Sequence, residues 1–197
     1  MDFEEKTISR QDIFKGKIID VKLDEVELPN GLGIGKRELV FHPGGVGVIA
    51  ITAENKIVLV RQFRKPIEKV IYEVPAGKLE AGEKADLRAA ILRELEEETG
   101  YSSQKIEQVS EFFVSPGFTN EKTYLFFTDE LKKVPHPRAA DADEVLEIHE
   151  VTLDEAKALV KSGEIDDAKT IIALQYWELL QLQKKNAGSI NQWQFGR

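Results

Sequence analysis

The stretch from Asp86 to Gly100 constrains this chain more than any other. At about 100° per residue, Leu87, Ile91 and Leu95 fall on one face of a helix. That apolar stripe must be covered by a sheet or by another helix. The spacing predicts a helix over residues 86–99, with Gly100 placed to end it in the left-handed conformation. Glu94 and Glu98 fall beside the stripe and Glu97 next to them, whereas Glu96 is expected on the opposite side, toward water. The face therefore begins apolar and becomes anionic in its last two turns.

Physics disfavours that ending in a purely structural helix. Glu94 and Glu98 form a like-charged i,i+4 pair, which costs on the order of 0.2–0.5 kcal/mol. The cluster also sits at the negative end of the helix dipole, where each anion is unfavourable by roughly 0.3–1 kcal/mol. Partial burial adds to both unless a cation is present. A divalent cation removes all three objections, and a solvated acidic helix end is the alternative. With no cysteine and three histidines in the chain, carboxylate oxygens point to Mg²⁺ or Mn²⁺ rather than Zn²⁺.

Elsewhere the pattern is mostly strand-like. Residues 17–28 alternate apolar and polar, Pro29-Asn30-Gly31 reads as a turn, and Gly35–Phe41 reads as the returning strand. A second hairpin is expected from Val46–Thr52 and Ile57–Gln62 across Glu54-Asn55, and a short strand over Ile71–Val74. Further strands are expected near 106–114, 122–128 and 144–151. Thr152 and Glu155 match a capping box opening a helix with Leu153, Ala156, Leu159 and Val160 on its apolar face. A longer helix is expected from about Asp167 to Lys185. The division that follows is an N-terminal strand region over 1–42, a main domain over 43–185 and an unassigned tail over 186–197. Strands mixed with a few helices, without strict alternation, indicate an α+β or layered α/β/α domain.

A net charge of −8 argues against general nucleic-acid binding, which needs clustered Lys and Arg. An acidic chain acting on phosphates must reverse its field locally, with a few arginines or bound metal. No apolar run approaches the ~18 residues that cross a bilayer. The first residues lack a basic and apolar leader, and the absence of cysteine fits a reducing cytoplasm.

Gly77-Lys78-Leu79-Glu80-Ala81-Gly82-Glu83 followed by Arg93-Glu94-Leu95-Glu96-Glu97-Glu98-Thr99-Gly100-Tyr101 resembles the signature of the Nudix hydrolases. The departure is nine residues rather than seven between Glu83 and Arg93, which a longer loop or first helical turn can absorb. Val60-Arg61-Gln62-Phe63-Arg64, Tyr72-Glu73-Val74-Pro75-Ala76-Gly77 and Ser115-Pro116-Gly117 are similar to the ADP-ribose pyrophosphatase branch. The resemblance implies a Nudix-type α/β/α sandwich with a mixed sheet, preceded by an N-terminal β-hairpin region through which such proteins commonly form homodimers.

Carried over by position, the resemblance implies that the Ala76 carbonyl, Glu94 and Glu98 ligate Mg²⁺, with Glu97 joining directly or through water. Arg64 and Arg61 would bind substrate, and Arg64 suits the diphosphate because a guanidinium aims two donors at phosphate oxygens. Glu121 would touch the substrate or the metal shell; as the start of a strand it also has an ordinary explanation. Glu144, in Asp141-Ala142-Asp143-Glu144, matches the position of the family's catalytic base, and Glu97 belongs with it in the catalytic set. The implied reaction is Mg²⁺-dependent hydrolysis of ADP-ribose to AMP and ribose 5-phosphate. Asp167-Ala168-Lys169 looks like a feature of relatives that cleave other nucleoside diphosphate sugars such as GDP-mannose, although an N-cap Asp beside a surface Lys explains it equally. A module that senses ADP-ribose without cleaving it is the third reading.

Overall fold

The computed structural model describes residues 2–80, 82–139 and 145–194, with 187–194 described by backbone alone. Strands β1 (Lys6–Lys15), β2 (Asp20–Leu28) and β3 (Gly33–Phe41) form an antiparallel sheet in that order. The turn at Pro29–Gly31 joins β2 to β3 where expected. Periodicity did not reveal β1, because all ten of its residues are exposed and neither face carries an apolar stripe. It is held by its ladder to β2 and by Arg10, whose Nε and Nη2 donate to the buried Asp24 at 2.7 and 2.6 Å.

The following elements are β4 (Gly45–Ala50), β5 (Ile57–Arg64), β6 (Lys69–Glu73) and β7 (Ala76–Lys78), then helix α1 (Leu87–Thr99). After α1 come β8 (Tyr101–Ser103), β9 (Glu107–Phe113), β10 (Lys122–Thr128), β11 (Leu131–Lys133) and β12 (Leu146–Val151). Helices α2 (Leu153–Ser162) and α3 (Ala168–Gln194) end the fold. One sheet has the order β7-β4-β10-β9 and is mixed, because β4 and β10 run parallel. Another has the order β12-β5-β6 and is antiparallel; β11 and β8 form a small pair.

The hairpin expected from β4 and β5 does not form. The turn exists, with Asn55 left-handed at φ 56°, but the two segments share only the Ile51–Ile57 bridge before entering different sheets. β4 is apolar on both faces and therefore takes a central place, with β7 along one edge and β10 along the other.

Period-two alternation in the central strands builds the layers. Val46, Val48 and Ala50 of β4, Val58 of β5 and Phe126 of β10 face α1 through Ala90, Ile91 and Leu95. Ile49, Ile57, Leu59, Leu125 and Phe127 face the other way, onto Ala156 of α2 and Ala173, Leu174 and Trp177 of α3. Each fully buried Ile or Leu contributes roughly 1.5–3 kcal/mol, so this double-sided burial fixes where α1 sits. The result is the expected α+β sandwich.

Helix signals read from the sequence are matched closely. Gly100 ends α1 at φ 68° as expected, while Asp86, expected as the first helical residue, instead caps the helix by accepting the Ala89 N–H at 2.9 Å. Thr152 and Glu155 form the reciprocal capping box of α2. Leu153, Ala156 and Leu159 pack into the core, whereas Val160 is 37% exposed at the edge. Helix α3 runs to Gln194, past the expected end at Lys185. Glu96 does not simply face water: its carboxylate accepts the Arg138 backbone N–H at 3.0 Å. No helix among the described residues is long and apolar enough to cross a membrane.

Candidate active site

Helix α1 lays its last two turns against β7. Glu94 and Glu98 are 8% and 3% exposed, and Glu98 Oε2 accepts the Ala76 N–H at 2.9 Å. Gly77 makes the close approach possible: a Cβ there would lie 1.9 Å from Glu94 Oε1. Arg93 gathers the remaining carboxylates. Its Nε and Nη2 donate to Glu83 at 3.0 and 3.2 Å, Nη1 to Glu97 at 2.7 Å and Nη2 to Glu94 at 2.9 Å. Burial works against the Arg93 charge, but Glu83 and Glu97 outweigh it and hold the guanidinium above its usual range. The bond from Arg93 in turn holds Glu83 below the usual carboxylate range. The nine residues between Glu83 and Arg93 run from a 3₁₀ turn over Glu83–Ala85 through the Asp86 cap into α1, and Glu83 still reaches Arg93.

A second charged cluster lies three residues upstream of Ala76. Glu73, 2% exposed at the end of β6, accepts two bonds from Arg64 of β5, Nη2 at 2.8 Å, and one from Lys169 in the first turn of α3. Burial pushes the Glu73 carboxyl up, yet Arg64 and Lys169 outweigh it and hold it below the usual carboxylate range. The Glu73 bond raises the Arg64 guanidinium, with further pull from the charges of Glu98 and Asp167. Asp167 caps α3, accepting the Thr170 N–H at 3.0 Å, the Thr170 hydroxyl at 2.7 Å and Lys169 Nζ at 3.0 Å. The Thr170 hydroxyl oxygen accepts the Val74 N–H at 2.9 Å, which ties α3 to the segment carrying Glu73.

The cations of the second cluster and the Ala76–Gly77 segment border one cavity of about 400 Å³. Arg64, Asp167 and Lys169 line it with Ala76 and Gly77; Ile18, Phe112 and Val114 give it an apolar portion. Glu121 lines it too, with His42 Nδ1 3.8 Å from its carboxylate.

Of the residues singled out from the sequence, Arg64, Ala76 and Glu121 share this cavity, and Glu94 and Glu98 lie at its Ala76–Gly77 border. Glu97 stands with Arg93. Arg61 is not brought there. Three residues from Arg64 on β5, it projects to the opposite face, pairs with Glu147 at 3.0 Å and lies over the Tyr72 ring. Asp141, Ala142, Asp143 and Glu144 lie outside the described residues. Periodicity missed Glu73, His42 and Ile18. A signal for Glu73 was available, since Ile71 and Glu73 share a strand face and a carboxylate on a buried face needs a cationic partner.

The NUDIX domain family model matches residues 41–174, and that of the nucleoside diphosphate sugar hydrolase N-terminal domain matches residues 5–40. The chain belongs to the Nudix hydrolase family. This Nudix hydrolase is 52% identical to ADP-ribose pyrophosphatase of Bacillus subtilis (strain 168) over 184 residues, 92% of this chain and 98% of that protein. It is 51% identical to methanol dehydrogenase activator of Bacillus methanolicus over 182 residues, 92% of this chain and 97% of that protein. A crystal structure of an ADP compounds hydrolase matches with a TM-score of 0.76 at 18% identity, covering 92% of this chain and 96% of that one, a likeness of fold.

Nudix hydrolases generally use divalent metal ions. Among the described residues no three acidic or imidazole groups already converge as a metal centre, since Arg93 serves as counter-ion to Glu94 and Glu97. The donor chemistry nevertheless fits such an ion. Glu94, Glu97 and Glu98 offer only hard oxygens, and the missing side chain at Gly77 lets the Glu94 carboxylate lie against the Ala76–Gly77 backbone.

Proposed function

We propose that this Nudix hydrolase cleaves the diphosphate bond of ADP-ribose, giving AMP and ribose 5-phosphate, with Mg²⁺ as cofactor and Mn²⁺ as a substitute. The observation that carries the reading is the shared cavity, where the Arg64 and Lys169 cations stand beside the Ala76–Gly77 segment that meets Glu94 and Glu98. The two cations offer donors to a diphosphate within an acidic protein, and bound metal would supply the further positive charge that holding it needs.

The Ala76 carbonyl, Glu94 and Glu98 would hold the metal, with Glu97 alongside. Bound there, the ion would neutralise phosphate charge and acidify the attacking water. Arg64 would receive the diphosphate oxygens and stabilise the charge that builds on them. Glu144 is assigned as the base taking the water's proton, on its position in the family pattern. Glu121 would contact substrate across from Arg64, and the apolar portion at Ile18 and Phe112 would receive the nucleobase. A substrate role for Arg61 rests on the resemblance, because its own fold turns it away from the cavity.

Lys169 on the cavity wall favours a second reading, in which another nucleoside diphosphate sugar such as GDP-mannose is preferred. Initial rates with ADP-ribose, GDP-mannose and UDP-glucose decide between them, read as phosphate released after coupling to a phosphatase. ADP-ribose should be turned over fastest. A tenfold preference for GDP-mannose would replace the assigned substrate, and binding of ADP-ribose without cleavage would make the protein a sensor. The N-terminal sheet is read as the homodimer interface because Ile8, Ile13 and Phe14 of β1 are each more than half exposed. The cysteine-free composition supports a cytoplasmic setting.

A further inference from the structure

We propose that Glu73 is the positioning residue of the diphosphate cradle, a buried carboxylate that sets both Arg64 and Lys169 toward the cavity. The inference deepens the proposed function and rests on it.

Arg64 and Lys169 come from different elements, the end of β5 and the first turn of α3, and are 105 positions apart in the chain. Two long cationic side chains placed side by side repel each other and sample many rotamers. Glu73 removes both difficulties. It takes Arg64 through the Nε–Nη2 edge, so the guanidinium is held in its own plane and the Nη1–Nη2 edge is the fork turned to an incoming phosphate. Lys169 Nζ is fixed by the same carboxylate and by Asp167. The Lys169 side chain is 15% exposed and that of Arg64 40%, while Glu73 is shut away at 3%. Glu73 is thus screened from the anionic substrate that its two partners meet. The carboxylate is itself anchored, since β6 pairs with β5 and the Val74 N–H is bonded to Thr170. Ordering is complete before substrate arrives, so binding need not supply it.

The test compares wild type, Glu73→Gln, Lys169→Met and the double variant for KM and kcat with ADP-ribose at saturating Mg²⁺, and for calorimetric binding of ADP. Each single change should raise KM and weaken ADP binding by about tenfold, with kcat shifting less than about threefold. The double variant should fall well short of the product of the singles, because both act through one cradle. Glu73→Asp keeps the charge but shortens its reach, and should raise KM to an intermediate value should Glu73→Gln fold poorly. A KM within twofold of wild type in folded Glu73→Asp or Lys169→Met, or fully multiplicative effects, overturns the assignment. Wild type that cleaves ADP-ribose while the variants keep its KM sinks the Glu73 role alone. Wild type that binds ADP without cleaving any nucleotide sugar, with Glu73→Gln losing that binding, sinks the hydrolase reading and keeps Glu73. Wild type that neither cleaves nor binds sinks both.

Discussion

Two clusters of buried charge meet at the short run from Glu73 to Lys78, and they are built on opposite plans. In the first, one carboxylate, Glu73, is satisfied by two cations, and every bond supports the next through Asp167 and Thr170. In the second, one arginine, Arg93, bonds three carboxylates while Glu98 is buried close by against the Ala76 N–H. The first is balanced and reads as scaffold for two donors. The second carries anionic excess at the negative end of a helix, which costs stability unless a further cation arrives. The contrast separates a cluster whose charges hold one another in place from one whose carboxylates would be steadied by a divalent ion.

Substitutions can break this contrast. The largest effect is expected for Glu98→Gln, which should lower Mg²⁺-dependent kcat by about a thousandfold, or roughly 4 kcal/mol of transition-state stabilisation. Its metal-free melting temperature should move by less than about 3 °C, since glutamine can still accept the Ala76 N–H; near-normal turnover would remove Glu98 from the proposed metal site. Gly77→Ala comes next. The added Cβ must displace the Glu94 carboxylate, so turnover should drop by about ten- to a hundredfold. The melting point should move by less than about 3 °C, and unchanged kinetics would show that Glu94 need not sit against β7.

The tie that anchors the balanced cluster should answer in stability instead. Thr170→Val leaves the Val74 N–H without its acceptor, costing about 1–3 kcal/mol. Thermal denaturation should register this as a fall of about 2–10 °C. A melting point equal to wild type would mean that the network is not holding α3 to the strand. The smallest effect belongs to Glu96→Gln, outside both clusters. A glutamine can still accept the Arg138 N–H, so kcat should stay within about twofold of wild type. A larger loss would show that the segment around Arg138 bears on the chemistry.

Periodicity, caps and spacing reached far into this molecule. The approximate limits of α1, its Gly100 stop, the capping box of α2 and the place of Glu94 and Glu98 beside the apolar stripe could all be read locally. They depend on residues three or four apart, whose geometry a helix fixes without reference to the rest of the chain. The same holds for the β2–β3 hairpin, where a turn joins strands adjacent in sequence. Strand pairing across long separations was not legible. The apolar runs of β4 and β5 show that both strands are buried, but not which edge each takes, and so they suggested a hairpin where the chain builds two sheets. Arg61 and Arg64 look alike in sequence, and only the placement of β5 between β12 and β6 turned one to the cavity and the other to Glu147.

Sequence alone therefore determined the kinds of element, their ends and the carboxylate-rich helix, because short-range backbone geometry sets them. Tertiary structure decided the company each charge keeps. Glu73 meets Lys169 and Glu98 meets the Ala76 N–H only when the sheet and helices close, and a buried charge is stabilised by partners that folding brings from elsewhere in the chain.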